Sequence, residues 1–306
     1  MSESESRPVG SRAWLELLHA EACWLLGAAG IDVIVLKGPA TARWLYPEGG
    51  RQSVDVDLLV DPVRWPDAIN ILLAHGFGRE AFREGEASPH SQELRRHDPA
   101  QGDHVVDLHR YFPGIEVAPE DAFAILWARR MPEVIARVPV AFPDVTTRAL
   151  VVALHAARSP GNPRTGDDLL QAVQAMDLNG WADVASLAAD LDALPALRAG
   201  LETQPEATRL VAPLGLSDVE VPAHWLLMST DADQTAVRLD QLAGLSPAKR
   251  VGQVLRWAFP SPSFVRDGDP RAERGPAGLA VAYGARLVDG VRRFPAAYRQ
   301  YRSSRR

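Results

Sequence analysis

Two aspartates one residue apart lie in "SVDVDLLV", residues 53–60. The alternation predicts a strand, and residues two apart on a strand share a face. Ser53, Asp55 and Asp57 would therefore point one way, while the apolar residues between them point into the core. The two aspartate Cα atoms would lie roughly 6.6 Å apart, so the carboxylates would repel each other unless a cation lay between them. The spacing predicts a divalent-cation site, and Mg²⁺ favours carboxylate oxygens together with substrate phosphates.

A third carboxylate follows in "HVVDLHRYF", residues 104–112. Asp107 and His109 share one face of this predicted strand, so Asp107 can approach Asp55 and Asp57 from a neighbouring strand. Three acids on adjacent strands could hold two metal ions about 3.5 to 4 Å apart, an arrangement suited to in-line displacement at phosphorus. His109 could contact a nucleotide or an acceptor, and a hydrogen-bonded structural histidine is the alternative.

Two cations lie close to these acids in the sequence. Lys37 and Arg51 could neutralise the charge of a triphosphate. Lys37 also begins a turn, Lys37-Gly38-Pro39, between a predicted strand and a short helix, and the N-terminus of a helix attracts anions. Each feature alone is common, and an isolated Asp-x-Asp is more often a solvated pair at a strand edge. The combination indicates a site that handles phosphate.

The elements that must position these residues form an α/β (α+β) pattern. In the first part of the chain we predict helices at residues 12–29, 39–46, 61–76 and 119–130. We predict strands at residues 32–36, 53–60, 91–98 and 104–112, with one more strand within 135–143. From residue 145 onward the pattern is helical, and His155 is expected to be a core or interface residue of one helix. We therefore predict a small mixed β-sheet domain, residues 1–144, followed by an all-α domain, residues 145–306.

The end of the chain is basic. Residues 246–306 contain 13 Lys and Arg against 4 Asp and Glu, a net charge of +9. Because the whole chain carries a net charge of −6, residues 1–245 carry −15. Such asymmetry predicts either contact with an anionic partner such as RNA or packing of the tail on the acidic first half. We expect residues 260–278 to form a loop, residues 279–294 a final helix, and the last eight residues a frayed end.

Composition excludes several classes of protein. The single cysteine, Cys23, cannot form an intrachain disulfide or a cysteine-rich zinc site, and it fits a reducing cytoplasm. No window approaches 18 uninterrupted apolar residues, so we predict no membrane span and no membrane partner. The glycine-rich dinucleotide motif, the Walker A motif and the Gly-x-Ser-x-Gly motif do not occur.

The stretch "LKGPATARWLYPEGGRQSVDVDLLV" and the later "VVDLHRYF" resemble the signature of the uncharacterised nucleotidyltransferase family, within the polymerase-β-like superfamily. The same motifs are similar to nucleotidyltransferase toxins of the abortive-infection type. The specific part of the resemblance covers about residues 32–112. A weaker similarity through "ALVVALHAARS" and "GDDLLQAV" extends it to about residue 180.

The resemblance implies a nucleotidyltransferase fold in which Asp55 and Asp57 bind Mg²⁺ and Asp107 is either a further metal ligand or the base that activates an acceptor hydroxyl. It also implies that four residues hold or support the triphosphate: Lys37, Gly38, Arg51 and Ser53. This chain departs from the superfamily pattern at the turn that would bind the triphosphate. Many superfamily members carry Gly-Ser or Gly-Gly where this chain has Gly38-Pro39, and Pro39 has no backbone N–H to offer a phosphate.

The function expected from these observations is Mg²⁺-dependent transfer of a nucleoside monophosphate from an NTP, such as ATP, to a hydroxyl or phosphate acceptor. The acceptor could be a small molecule, a peptide, a protein or a tRNA. A tRNA acceptor would make the protein toxin-like, would imply an antitoxin partner and would give the basic tail a role, whereas the other acceptors fit a biosynthetic partner. The alternative is a non-catalytic module that binds a nucleotide or a partner through a degenerate nucleotidyltransferase fold.

Overall fold

The strands of the protein form one mixed sheet. The computed structural model describes residues 11–47, 50–51, 53, 55–79, 90–99, 102–229, 234–243, 246–260, 262, 265–266 and 269–303. The described strands are β1 Val33–Val35, β2 Val56–Val60, β3 Gly78–Arg79, β4 Ser91–Asp98, β5 Gly102–His109, β6 Arg130–Ile135 and β7 Val138–Pro143. They are ordered β3-β4-β5-β2-β1-β7-β6 across a seven-stranded sheet.

Two parallel pairs lie at the centre of the sheet. Strand β2 pairs with β5 in parallel and with β1 in antiparallel orientation. Strand β1 also pairs in parallel with β7. Because β2 is central and covered on both faces, all five of its residues are buried.

Helices make up most of the remaining described chain. They are α1 Ser11–Ala28, α2 Pro39–Leu45, α3 Trp65–Ala74, α4 Pro119–Ala128, α5 Val145–Arg158, α6 Pro163–Ala175, α7 Leu178–Asp190, α8 Leu194–Leu201, α9 Pro205–Thr208, α10 Ala223–Ser229, α11 Gln234–Ala243, α12 Pro247–Ala258 and α13 Gly275–Ser303. Short 3-10 helices occupy Pro62–Arg64 and Pro270–Glu273. Side-chain caps start several helices, as where Asp144 accepts a hydrogen bond from the backbone N–H of Thr147.

The two faces of the sheet pack against different helices. On one face, Val56 and Leu58 are buried with residues of α1 and α3, as the alternation predicted. Val54, which was expected to join them, lies outside the described residues. On the other face, Ile34 and Leu59 belong to a core cluster that extends through α5, α6, α7 and α8. A mixed sheet followed by a mostly helical region confirms the predicted fold class.

The region before α5 contains one more strand than the single one predicted within residues 135–143. There β6 and β7 form an antiparallel hairpin through the turn Ala136-Arg137, where both residues have positive φ. Strand β6 lies at the edge of the sheet, which explains why it tolerates Pro132 and exposed residues that obscured its pattern.

The C-terminal helix is longer than predicted. Residues 270–273 and 275–278 are helical rather than loop, and α13 continues through Pro295 to Ser303. Ala297 is buried against Leu227 of α10, with Tyr301 packed beside them, and this contact holds the turns that were predicted to be frayed.

Within the described segments, we find no helix with the length and apolar character needed to cross a membrane. Strand β7 ends at Pro143 and α5 begins at Val145. The division into domains at residue 144 stays a prediction.

Candidate functional site

Strands β2 and β5 bring two of the predicted acids together. Asp57 is paired in register with Asp107, and Leu59 with His109, across this parallel pair. Asp57 shares its face of the strand with Leu59, which packs against the helical region, so the acids lie where the sheet meets that region. Asp57 is only 3% exposed.

His109 and Lys37 contact these carboxylates. The Nε2 atom of His109 lies 3.1 Å from an oxygen of Asp57 and 3.1 Å from an oxygen of Asp107. The Nζ atom of Lys37, at the end of β1, lies 2.7 Å from the same Asp57 oxygen, Oδ1. Among the described residues, the ligand atoms of Asp57, Asp107 and His109 form the group within 4.8 Å of one another that could hold a metal ion.

The charges of this cluster stabilise one another. Burial acts to raise the pKa of Asp57, but Lys37 and His109 outweigh it and hold that pKa well below its usual value. Burial also opposes the charge of Asp107, and hydrogen bonding and attraction from His109 lower its pKa. For His109 itself, burial acts against protonation, but Asp107 and Asp57 together raise its pKa. The site therefore favours two carboxylates and a protonated imidazole.

Asp55 lies beside this group but outside the strand. Strand β2 begins at Val56 rather than at residue 53, and the Oγ of Ser53 donates to the backbone carbonyl of Asp55 at 3.1 Å and to its Oδ1 at 3.3 Å. Burial and the repulsion of Asp57 raise the pKa of Asp55. A further cation beside Asp55 would lower its pKa again, toward that of a free aspartate.

The residues fit a divalent metal ion. The Oδ1 atom of Asp107 is buried and has no hydrogen-bond partner among the described residues. An unsatisfied buried carboxylate oxygen is costly, and oxygen is the ligand atom that Mg²⁺ prefers. The raised pKa of Asp55 indicates the same deficit of positive charge.

Gly38 adopts a conformation that requires glycine. Its φ of 60° and ψ of −115° lie outside the regions open to other residues. A Cβ atom there would lie 3.2 Å from Nε2 of His19 and 3.5 Å from Oγ of Ser53. Helix α2 begins at Pro39, directly after this turn, as the sequence predicted.

Arg51 has a partner that the sequence analysis did not identify. Its Nε and Nη2 atoms donate to the two carboxylate oxygens of Asp168 in α6, at 2.9 and 2.8 Å. Its Nη1 also donates to the carbonyl of Gly38 at 3.4 Å. Arg51 therefore joins the Gly38 turn to the helical region, and its predicted support of a triphosphate stays a prediction. The detectable signal was Asp168 in "GDDLLQAV", which is three residues after buried Thr165 and four before buried Ala172, on the buried face of the helix.

Helix α5 contains two further titratable side chains that were not predicted as site residues. Burial, with a smaller contribution from the charge of Lys37, lowers the pKa of His155 to about 3. Arg158 lies one turn later, and its Nη2 donates to Nε2 of His90 at 3.3 Å. The rings of His90 and His109 are stacked with centroids 5.8 Å apart, so Arg158 approaches the acids through His90.

A model of a family described as "Uncharacterised nucleotidyltransferase" matches residues 15–206, more than half of the chain. This chain belongs to that family. Membership confirms the expected resemblance and supports nucleotidyl transfer as the class of reaction, with an NTP as substrate. No curated protein matches the chain.

Two solved structures are similar to part of the chain. One is the crystal structure of an antigenic nucleotidyltransferase-like protein from Paracoccidioides brasiliensis, with 15% identity and a TM-score of 0.40 over 60% of this chain and 91% of that one. The other is the solution structure of the antibiotic-resistance factor ANT(2'')-Ia, with 14% identity and a TM-score of 0.42 over 60% of this chain and 96% of that one.

Proposed function

We propose that this protein is a Mg²⁺-dependent enzyme that transfers a nucleoside monophosphate from an NTP to a hydroxyl or phosphate acceptor. The observation that carries the proposal is the in-register pair Asp57 and Asp107 on adjacent parallel strands. Asp57 is buried, Asp107 is partly buried, and Asp55 lies beside them. Buried acids concentrated in this way need a strong counter-charge, and phosphoryl transfer supplies one with its metal ions.

In the reaction, an oxygen of the acceptor forms a new bond to the α-phosphorus, and the bond from that phosphorus to the α–β bridging oxygen breaks. Pyrophosphate leaves with the electrons of the broken bond. The proton of an acceptor hydroxyl passes to a carboxylate of this cluster. When bound by Asp55, Asp57 and Asp107, Mg²⁺ would supply electrostatic stabilisation of the charge on the phosphoryl oxygens.

The other site residues bind and position. Lys37 is paired with Asp57, and in our proposal its charge also stabilises the phosphates of the bound NTP. Ser53 orients Asp55, and Gly38 allows the chain to turn beside the phosphates. His109 holds Asp57 and Asp107 in place, so it positions the acids whether or not it also contacts the nucleotide.

The test is pyrophosphate release from each of the four NTPs with Mg²⁺, with cell extract as the source of acceptor. We expect release by the wild type and none by Asp57→Asn, which keeps the size of the side chain and removes its charge. Asp61→Asn is the matched control, because Asp61 only caps the 3-10 helix that follows β2. Equal release by wild type and Asp57→Asn would refute the assignment of the site.

A non-catalytic module is the second candidate, and two observations favour it. Lys37 and His109 already balance Asp57 without a metal ion, and Pro39 offers no backbone N–H to a phosphate. A module of this kind would bind nucleotide equally well with Mg²⁺ or with EDTA and would release no pyrophosphate. Mg²⁺-dependent nucleotide binding that disappears in Asp57→Asn would instead favour the enzyme.

The acceptor and the setting are further proposals. RNA, including tRNA, is one candidate acceptor because α12 and α13 are basic and exposed aromatic residues accompany them: Phe259 directly after α12, and Phe294 and Tyr298 in α13. A small molecule, a peptide or a protein are the others, with a biosynthetic partner in place of an antitoxin. Labelled product from radioactive NTP and cell extract, separated by size and by nuclease or protease sensitivity, distinguishes these classes. The single Cys23 supports a reducing cytoplasm as the site of action.

A further inference from the structure

Arg158 is a partly buried cation without an acidic partner among the described residues. No carboxylate of the described residues lies within ion-pair distance of its guanidinium, and its hydrogen bond goes to His90, which accepts through a neutral nitrogen. Burial lowers the pKa of Arg158, and the more distant charges of Asp107 and Asp57 only partly offset this. Charged side chains are rarely buried without a counter-charge, so the position calls for an anion.

The ordinary role of an arginine in the last turn of a helix does not account for this contact. Such an arginine usually binds the terminal carbonyl groups of its own helix. Arg158 ends α5, yet the carbonyl of His155 accepts from the backbone of Ser159, and the guanidinium extends to His90 at the start of β4. It crosses from the helical region to the sheet, beside the stacked pair His90 and His109.

None of the nearby acids among the described residues lies within ion-pair distance of the guanidinium, and cations of the cluster already contact two of them. Asp57 is contacted by Lys37 and His109, and Asp107 is contacted by His109. The described residues therefore supply no counter-charge to Arg158, and the anion of a bound ligand would supply one. Such an anion would also suit Lys37, the cation that contacts Asp57 in the same cluster.

We propose that Arg158 and Lys37 form a polyphosphate-binding site between the helical region and the sheet, which takes the β- and γ-phosphates of the nucleotide and then the pyrophosphate product. This inference rests on the proposed function and adds a residue of the helical region to the site. The planar guanidinium can donate two parallel hydrogen bonds to phosphate oxygens, whereas Lys37 acts as a point charge. His90 accepts a hydrogen bond from the guanidinium and so orients Arg158. Because the pKa of His90 is lowered, His90 is neutral and does not itself attract the anion.

The experiment compares the wild type with Arg158→Gln, Arg158→Lys and Arg164→Gln. Arg164 is exposed at the start of α6, so its variant removes the same charge from a nearby position outside the site. Calorimetry measures the binding of ATP, AMP, inorganic tripolyphosphate and pyrophosphate, each with Mg²⁺. We expect Arg158→Gln to bind ATP, tripolyphosphate and pyrophosphate about 10- to 100-fold more weakly, with AMP binding unchanged. The affinities of Arg158→Lys for these ligands should fall between those of the wild type and of Arg158→Gln. The affinities of Arg164→Gln should match those of the wild type.

The outcomes separate this inference from the proposed function. ATP binding by the wild type together with unchanged tripolyphosphate and pyrophosphate binding by Arg158→Gln overturns the inference and leaves the proposed function standing. A parallel loss of AMP and tripolyphosphate binding also overturns it, because that pattern indicates general damage. If Arg158→Gln does not fold, Arg158→Lys decides, and wild-type affinity for tripolyphosphate in that variant is the negative result. Wild-type protein that binds no nucleotide overturns both.

Discussion

The buried ion pair between Arg51 and Asp168 makes a quantitative prediction about stability. The two side chains are 8% and 5% exposed, and the guanidinium donates to both carboxylate oxygens. Replacing Asp168 by Asn keeps its volume but leaves Arg51 buried without a counter-charge. Removing one partner of such a pair typically costs about 3 to 5 kcal/mol, because the remaining charge loses both its partner and its solvation. We expect Asp168→Asn to lower the free energy of unfolding by this amount in urea titrations followed by circular dichroism.

Two controls test the physical reasoning. In the double variant Arg51→Met, Asp168→Leu no charge remains buried, so it should be clearly less destabilised than the sum of the two single variants. The exposed pair Arg43 and Glu133, at 39% and 38% exposure, provides the matched surface case. Glu133→Gln should change the stability by about 0 to 1 kcal/mol. A loss below about 1 kcal/mol in Asp168→Asn, or strict additivity in the double variant, would refute the argument that burial makes this pair essential.

Three further predictions concern packing and charge. A Cβ on Gly200 would lie 2.0 Å from the carbonyl oxygen of Ala153, so Gly200→Ala should cost about 1 to 3 kcal/mol in urea titrations. Gly252→Ala meets no atom within 4 Å and should instead gain about 0.5 to 1 kcal/mol, and the opposite order would count against the close contact. Burial raises the pKa of Cys23 to about 12, so a thiol reagent at pH 8 should label it only after denaturant is added. Because the folded protein holds the pKa of Asp57 below its unfolded value near 3.9, its stabilising contribution is complete above that pH and is lost as the pH falls below about 4. Acid titration of stability should therefore be shallower in Asp57→Asn than in the wild type.

Local sequence pattern was sufficient for the two acids on strands. Alternation in each strand placed Asp57 and Asp107 on faces that could meet, and the parallel pairing of β2 and β5 brings them into register. It was not sufficient for Asp55, because the strand begins at Val56, directly after Asp55, and Ser53 donates a hydrogen bond to the backbone of Asp55. A side chain at a strand end is oriented by its own hydrogen bonds, which periodicity does not describe.

Contacts across long stretches of chain were beyond the sequence argument. Arg51 and Asp168 are 117 residues apart, and Arg158 reaches His90 across 68. Nothing in the spacing of either segment indicates the other, and an arginine next to a predicted metal site is as easily assigned to phosphate as to a carboxylate. The assignment of Arg51 to the triphosphate followed from proximity in sequence, whereas its geometry follows from packing of α6 over the Gly38 turn.

The shared core explains why the helical region supplies such residues. Leu59 follows Asp57 by two positions on the same face of β2, and it packs in one cluster with Leu150 and Leu154 of α5. The packing that buries Leu59 therefore also brings α5, with Arg158 at its end, to the side of the sheet on which Asp57 lies. Separating the two regions would expose apolar area on both sides, so the free energy of that burial also brings the residues of the candidate site together. The predicted boundary at residue 144 marks a change of secondary structure in the chain, while the site belongs to both sides of it.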